Sequence, residues 1–404
     1  MPKLRFPEFR GAGEWEEKTL SNVATVVMGS SPKSEFYNEN HDGLPLLQGN
    51  ADIKNRLSVP RIFTSEITKE CQVGDILMSV RAPVGSVAKS IHHACIGRGI
   101  AAIHSRKPDS QEFLYQWLLS YEARWVNISQ GGTFDAINSD DLKEVGLTTP
   151  FPAEQQKIAD CLSSLDELIA ALARRVDALK THKKGLMQQL FPREGETQPR
   201  LRFPKFRAAK EWEVGPLNHF AQINPRREVR ADDVAVSFVP MNAVSENGYL
   251  ASPQGRNYGL VKKGFTAFQD SDVIVAKITP CFENGKAALV TKLINGIGFG
   301  STEFHVVRAN NLCLPEFMFA QIYSDQFRQL GKASMTGSGG QQRVPTAFVE
   351  NYLLSVPSLT EQQRTADCLT SLDTFITAAT QELEILKTHK KGLMQQLFPR
   401  LTND

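Results

Sequence analysis

From Ile158 onward, apolar residues return at alternating steps of four and three. They are Ile158, Leu162, Leu165, Ile169, Leu172, Val176 and Leu179, followed in register by Lys183, Leu186 and Leu190. The register recurs at Thr365, Leu369, Leu372, Ile376, Ala379, Leu383, Leu386, Lys390, Leu393 and Leu397. Such stepping over more than four heptads predicts two coiled-coil helices with these apolar positions as their core. Pro152 and Pro357 mark the entries, and Phe191-Pro192 and Phe398-Pro399 the exits, because proline cannot continue the hydrogen-bond ladder. Each helix holds about 37 residues, or roughly 55 Å at ~1.5 Å per residue. One such helix leaves its seam wet; two with matching seams pack on each other. The segment between them is long enough for either direction. Near-identical copies favour an antiparallel pair, which a twofold axis can relate.

The copies are close to literal. KTHKKGLMQQLFPR (Lys180–Arg193) recurs letter for letter at Lys387–Arg400, 207 positions on. EQQKIADCLSSLDELI (Glu154–Ile169) returns as EQQRTADCLTSLDTFI (Glu361–Ile376) at the same offset. An earlier echo, LRFPEF (Leu4–Phe9) and LRFPKF (Leu201–Phe206), is offset by 197, as is Glu14-Trp15-Glu16 with Glu211-Trp212-Glu213. The chain is a tandem duplication whose second copy carries a net ten extra residues between the two echoes.

Between the echoes the copies share a plan but little sequence. GDILMSVRAP (Gly74–Pro83) and SDVIVAKITP (Ser271–Pro280) read as buried strands, and Glu112–Trp125 and Pro315–Leu330 as amphipathic helices. Gly-rich turns and short strands follow at 131–150 and 339–357. The expected class is α+β, with two α/β domains and two long helices. The expected organisation is residues 1–151 as the first domain and 152–193 as the first long helix. Residues 194–357 form the second domain (opening on a linker, 194–200), and 358–400 the second helix. A fixed frame carrying two drifted domains suits a reader of two different targets, and equally a bivalent adaptor for proteins.

Composition changes this picture little. A chain of 404 residues, 41% hydrophobic and 22% charged, is that of an ordinary soluble protein of two to four domains. No apolar run approaches the roughly 18 residues of a membrane span, and MPKLRFPEFR holds no secretory h-region. Six cysteines without a C-x-x-C pair read as buried reduced thiols, which fits a cytoplasmic location. A net charge of +2 does not by itself announce nucleic-acid binding. Gly285-Lys286 and Gly331-Lys332 lack the earlier glycine of a phosphate-binding loop. GIGFGS (Gly296–Ser301) reads as turn or bulge glycine, since no strand–loop–helix context follows. His92 and His93 would point to opposite faces of a strand. There is no H-E-x-x-H, and no Asn/Asp-Pro-Pro-Tyr/Phe of the amino-methyltransferases. Catalysis by this chain, or a metal or cofactor bound by it, is not expected.

The duplicated helices joined to diverged domains, with EQQKIADCLSSLDELI, EQQRTADCLTSLDTFI and the twice-written KKGLMQQLFPR, resemble the specificity subunit of type I restriction-modification enzymes over essentially the whole length. Thr365 departs from the family's Ile, which the first copy keeps as Ile158; looser packing of the second helix entry is expected. The resemblance implies a non-catalytic subunit that binds double-stranded DNA with two target-recognition domains. It implies recruitment of two modification (methyltransferase) subunits and two restriction (motor-nuclease) subunits. S-adenosylmethionine, ATP and magnesium would serve those partners in adenine-N6 methylation and DNA cleavage. A methylation-only complex is the alternative assembly. The target would be two short base strings of three to five base pairs around an unread spacer. The coil would act as a ruler, setting half-site centres about one helical turn, ~34–36 Å, apart.

Arginine pairs bidentately with guanine, and Gln or Asn with adenine. The candidate DNA contacts on exposed loops are Arg56, Arg81 and Arg98 in the first domain, and Arg226, Arg227, Gln341, Gln342 and Arg343 in the second. Gly-Gly-Gln-Gln-Arg is the foremost of these stretches, because glycine permits close approach and three polar side chains follow.

Overall fold

A computed structural model of the chain describes residues 1–130, 136–193, 195–251, 253–338 and 340–399, with backbone alone at 126–130. The fold is α+β, and it divides into two compact units: residues 1–174 with 380–404, and residues 175–379. Both divisions fall inside the long helices, so each unit holds one domain, the head of one long helix and the tail of the other.

In unit 1 the strand foretold by GDILMSVRAP forms at Ile76–Ser79, buried at every position. It lies in a six-stranded sheet ordered Ala24–Met28, Ile100–Ser105, Ile76–Ser79, Val87–Lys89, Leu57–Ser58, Ile53–Lys54. A five-stranded sheet contains Ala94–Ile96, parallel to Leu44–Leu47. Helix α1 (Gln111–Gln130) begins one residue before the predicted start and runs five past the predicted end. Phe113, Trp117 and Leu118 of α1 share one buried core with Ile76, Met78 and Ile103 of the sheet. The same core takes in Ile158 and Leu162 from the head of α2 (Pro152–Leu190).

Unit 2 repeats the plan with smaller sheets. Val273–Ala276 lies in a four-stranded sheet, and a second sheet of four pairs Ala235–Val239 in parallel with Ile297–Gly300. The single helix predicted over Pro315–Leu330 is instead α3 (Pro315–Ile322) and α4 (Asp325–Ala333). Ser324 interrupts it, its hydroxyl accepting from the Phe327 amide at 3.2 Å as the cap of α4. GIGFGS also differs from expectation. Gly296 sits in a turn at φ 70°, but Gly298 and Gly300 belong to a buried strand. A Cβ on Gly298 would lie 2.2 Å from the Phe268 ring, so glycine here permits close packing.

The ten extra residues can be located. Pro83 and Pro280 keep the offset of 197. Ser105 and Ala309, each paired with the first residue of the neighbouring edge strand (Ala24, Ala221), are offset by 204. Ile137 and Val344, which donate to the Val80 and Lys277 carbonyls at 2.9 and 2.8 Å, are offset by 207. Seven residues therefore enter before Ala309, and three between Ala309 and Val344.

The echoed motifs form the same clamp in each unit. In unit 1 the Arg5 guanidinium forks onto Glu154 at 2.8 and 2.7 Å and donates to the Ala12 and Gly13 carbonyls at 3.0 Å. Trp15 Nε1 reaches the same carboxylate at 3.4 Å. In unit 2 Arg202 forks onto Glu361 at the head of α5 (Leu359–Leu397) at 2.7 and 2.8 Å and donates to the Ala209 and Lys210 carbonyls at 3.0 and 2.8 Å. Trp212 Nε1 completes it at 3.3 Å. The pairs are buried, and the hydrogen bond to the carboxylate raises both guanidinium pKa values against the lowering effect of burial. The neighbouring glutamines tie each helix head to its domain. Gln155 accepts from the Ser110 amide at 2.8 Å, and Gln362 from the Leu314 amide at 2.7 Å.

The helix tails close the same frame. In unit 2 the Leu201 amide donates to Gln189 O at 2.9 Å, and Phe191 packs on Trp212 and Phe317. In unit 1 the Leu4 amide donates to Gln396 O at 3.0 Å, and Phe398 packs on Phe113. Each tail thus ends beside the other helix's head, so the pair within each unit runs antiparallel, as expected. The seam positions Ile158, Leu162, Leu172, Val176, Leu369, Ile376 and Leu383 are buried; Leu165, Ile169, Leu179, Leu372 and Leu386 are half-buried. Two lysines occupy the seam, and each meets an aspartate of the opposite helix: Lys390 with Asp166 at 2.6 Å in unit 1, Lys183 with Asp373 at 2.6 Å in unit 2. A charged pair at one seam position favours a single register. Thr365 is as buried as Ile158.

Candidate nucleic-acid interface

In the first domain, Arg81 follows the strand Ile76–Ser79 and Arg98 lies in the turn between Ala94–Ile96 and Ile100–Ser105. Both line one cleft of about 590 Å³, together with Ser31, Lys33, Tyr37, Gln48 and Asn50. Its lining residues include three cations and no carboxylate. The loops around it pack backbone to backbone, which only glycine allows: a Cβ on Gly99 would sit 2.3 Å from Gln48 O, and one on Gly29 2.2 Å from Gly97 O. Arg81 pairs through its backbone with Ala136. Residues 131–135, expected from the sequence to form a Gly-rich turn, lie outside the described residues.

Arg56 is not part of this cleft. It stands at φ 65° between two short strands, forks onto Glu122 of α1 and donates to Val87 O at 2.9 Å. Its donors already serve to hold α1 against the sheet.

In the second domain, Ile278 and Arg343 form the backbone bridge that Arg81 and Ala136 form in the first. Arg343 therefore takes the place that Ala136 holds in the first domain, beside the end of the central strand, with Gln341 and Gln342 just before it. Gly339, which opens this stretch, lies outside the described residues. Arg343 Nε and Nη2 reach Glu303 between 2.8 and 3.2 Å, and Nη1 donates to Gln341 O at 3.1 Å. The Arg343 guanidinium holds the Glu303 carboxyl below its ordinary range. Gln341 and Gln342 are exposed, while the Gln342 carbonyl accepts from the Thr279 amide at 3.0 Å. Arg226 is exposed with no side-chain partner among the described residues, and Arg227 donates to Lys262 O.

Sequence reasoning passed over Lys33, Tyr37, Gln48 and Asn50. A signal was present: Gln48-Gly49-Asn50 follows the buried Leu46-Leu47, the same amide–glycine chemistry that marked Gly-Gly-Gln-Gln-Arg. The two histidines stay apart, His92 on Ser58 and His93 on Glu70. Among the described residues no cluster could hold a metal ion, and no helix is long and apolar enough to cross a membrane.

The family model for the type I restriction modification DNA specificity domain matches twice, at residues 12–181 and 209–388. The EcoEI specificity subunit of Escherichia coli is 37% identical over 246 residues, 59% of this chain and 40% of that protein. The MjaX specificity subunit of Methanocaldococcus jannaschii, a putative one by its description, is 36% identical over 181 residues, 44% of this chain and 43% of that protein. The chain thus spans about two fifths of the length of these curated relatives. In fold it is similar to the crystal structure of the S subunit of a type I restriction-modification system from M. genitalium, with a TM-score of 0.61 over the full length of both chains at 15% identity. With both copies of the domain matched across most of its length, this chain belongs to the type I restriction-modification DNA specificity family.

Proposed function

We propose that this chain is a sequence-specific DNA-recognition subunit that reads a bipartite target in double-stranded DNA, one half-site per domain. The observation that carries the reading is one frame built twice around two different polar surfaces: the Arg–Glu–Trp clamp is reproduced group by group, and the loops beside the central strands are not. Phosphate and base contacts would come from the cationic cleft of the first domain and the Gln341–Arg343 segment of the second. The chain would perform no chemistry itself. Two modification subunits would bring S-adenosylmethionine, and restriction subunits, with ATP and magnesium, would join through them. Duplicate docking surfaces support that stoichiometry. Leu168 and Phe375, equivalent in the repeat, leave 51% and 61% of their surface exposed on the long helices. Exposed apolar residues at matching positions suit two copies of one partner.

The test is selection from a randomised duplex pool, with the chain alone and with its methyltransferase subunit. Enrichment of two fixed strings around a constant spacer is the expected result. Enrichment of nothing, with the partner bound, would favour a protein adaptor.

A further inference from the structure

The cleft of the first domain holds side chains of three different states. Arg98 is pre-oriented: Ser31 Oγ accepts from its backbone amide at 3.2 Å and from its Nε at 3.4 Å. That leaves both terminal guanidinium nitrogens, the fork that spans guanine O6 and N7. Gln48 rides on a fixed backbone, its amide donating to Asp52 Oδ2 at 2.7 Å and its carbonyl accepting from the Gly99 amide at 3.1 Å. Its side-chain amide has no partner among the described residues, and so offers the donor and acceptor that match adenine N6 and N7. Arg81 and Lys33 are exposed; their backbones are also held, by the Ala136 bridge and by the Lys33 amide donating to Glu66 at 2.7 Å, but among the described residues no hydrogen bond orients either charged group, and the Lys33 ammonium meets the exposed Glu35 at 3.7 Å. A pinned or short side chain on a fixed backbone is what base readout requires, whereas a long, unrestrained cation is sufficient for a phosphate.

We infer that Arg98 and Gln48 are the specificity-determining pair of the first domain, Arg98 for a guanine and Gln48 for an adenine of the first half-site. Arg81 and Lys33 neutralise the flanking phosphates. This rests on the DNA-recognition reading above. Gly49 serves the same end: a Cβ there meets nothing within 4 Å, so the chain beside Gln48 is open to an approaching groove edge.

The experiment uses the chain assembled with its methyltransferase subunit and selects from the randomised duplex pool. Arg98→Ala is expected to relax one guanine, and Gln48→Ala one adenine, both in the same half-site, each with a loss of preference of roughly ten- to a hundredfold. The other half-site and the spacer should stay as in the parent. Arg81→Ala is expected to weaken all sequences alike and to lower the salt dependence of binding. All four side chains sit at the surface of the cleft, and thermal unfolding of each variant verifies its fold. An unchanged first half-site in both Arg98→Ala and Gln48→Ala, or uniform weakening in both, overturns the assignment while leaving the two-part target standing. Absence of any two-part target in the parent complex overturns the broader reading instead.

Discussion

Arg5 grips Glu154 in unit 1 as Arg202 grips Glu361 in unit 2, and the bond lengths agree within 0.1 Å. A short walk away, the agreement ends. Where unit 1 opens a cleft lined by cations and amides and by no carboxylate, unit 2 locks Arg343 onto Glu303. The difference separates two kinds of constraint. A buried carboxylate at a helix head must have its partners, because an unpaired buried charge is costly, so every residue of the clamp is held in both copies. A side chain at a loop rim faces water in the isolated subunit and costs little to exchange, so the rims were free to diverge.

The comparison breaks most visibly at the clamp. Arg5→Ala and Arg202→Ala should each destabilise their own unit by about 3 kcal/mol, because each leaves a buried carboxylate unpaired. Urea unfolding measures this; a loss in one variant several times that in the other would end the claim of equivalence. Each seam pair joins a largely covered lysine to a partly exposed aspartate, and its effect is smaller. Lys390→Ala and Lys183→Ala should each cost about 1 kcal/mol, with double-mutant cycles against Asp166 and Asp373 giving similar couplings. At the second domain's rim the expectation concerns specificity alone. Arg343 spends its donors on Glu303 and Gln341 O, so it positions the Gln341–Gln342 segment. Arg343→Ala and Glu303→Ala should then alter the second half-site in the same way and leave the first untouched. If Arg343 instead reads a base itself, Glu303→Ala will leave that base's preference in place.

The frame was legible in the sequence because its physics is local and repetitive. Heptad stepping set the helices and the seam, the near-identity of the two copies their direction, and Phe-Pro marked their ends. What the echoes were for was not legible. Arg5, Trp15 and Glu154 stand 149 positions apart at the extremes, and nothing in a one-dimensional pattern joins a guanidinium to a carboxylate across that span. The break at Ser324 was visible only as a residue that caps well, inside a stretch whose apolar spacing still read as one helix. The rim was the least legible. Arg56 looked like Arg81 and Arg98, all three arginines on stretches that read as exposed loops. Their partners distinguish them: Glu122 takes the first, while the other two face a cleft. Gln48 was passed over because it follows an apolar strand, and burial of its neighbours hid an amide on the open side.

The central claim is that one clamp is built twice, once along the chain and once across its ends, and carries two independent readers. Gln189 and Leu201, hydrogen-bonded in unit 2, lie twelve positions apart. Joining Asp404 to Met1 would put Leu4 twelve positions after Gln396, its hydrogen-bonded partner in unit 1. The decisive measurement is duplex selection by a circular permutant closed from Asp404 to Met1 and opened near Thr197. Closing so short a loop between neighbours costs little entropy. The permutant should fold, hold its methyltransferase subunit, and select the same two half-sites at the same spacing as the parent. Insoluble protein, or a soluble permutant that selects different bases or a different spacer, would contradict the account.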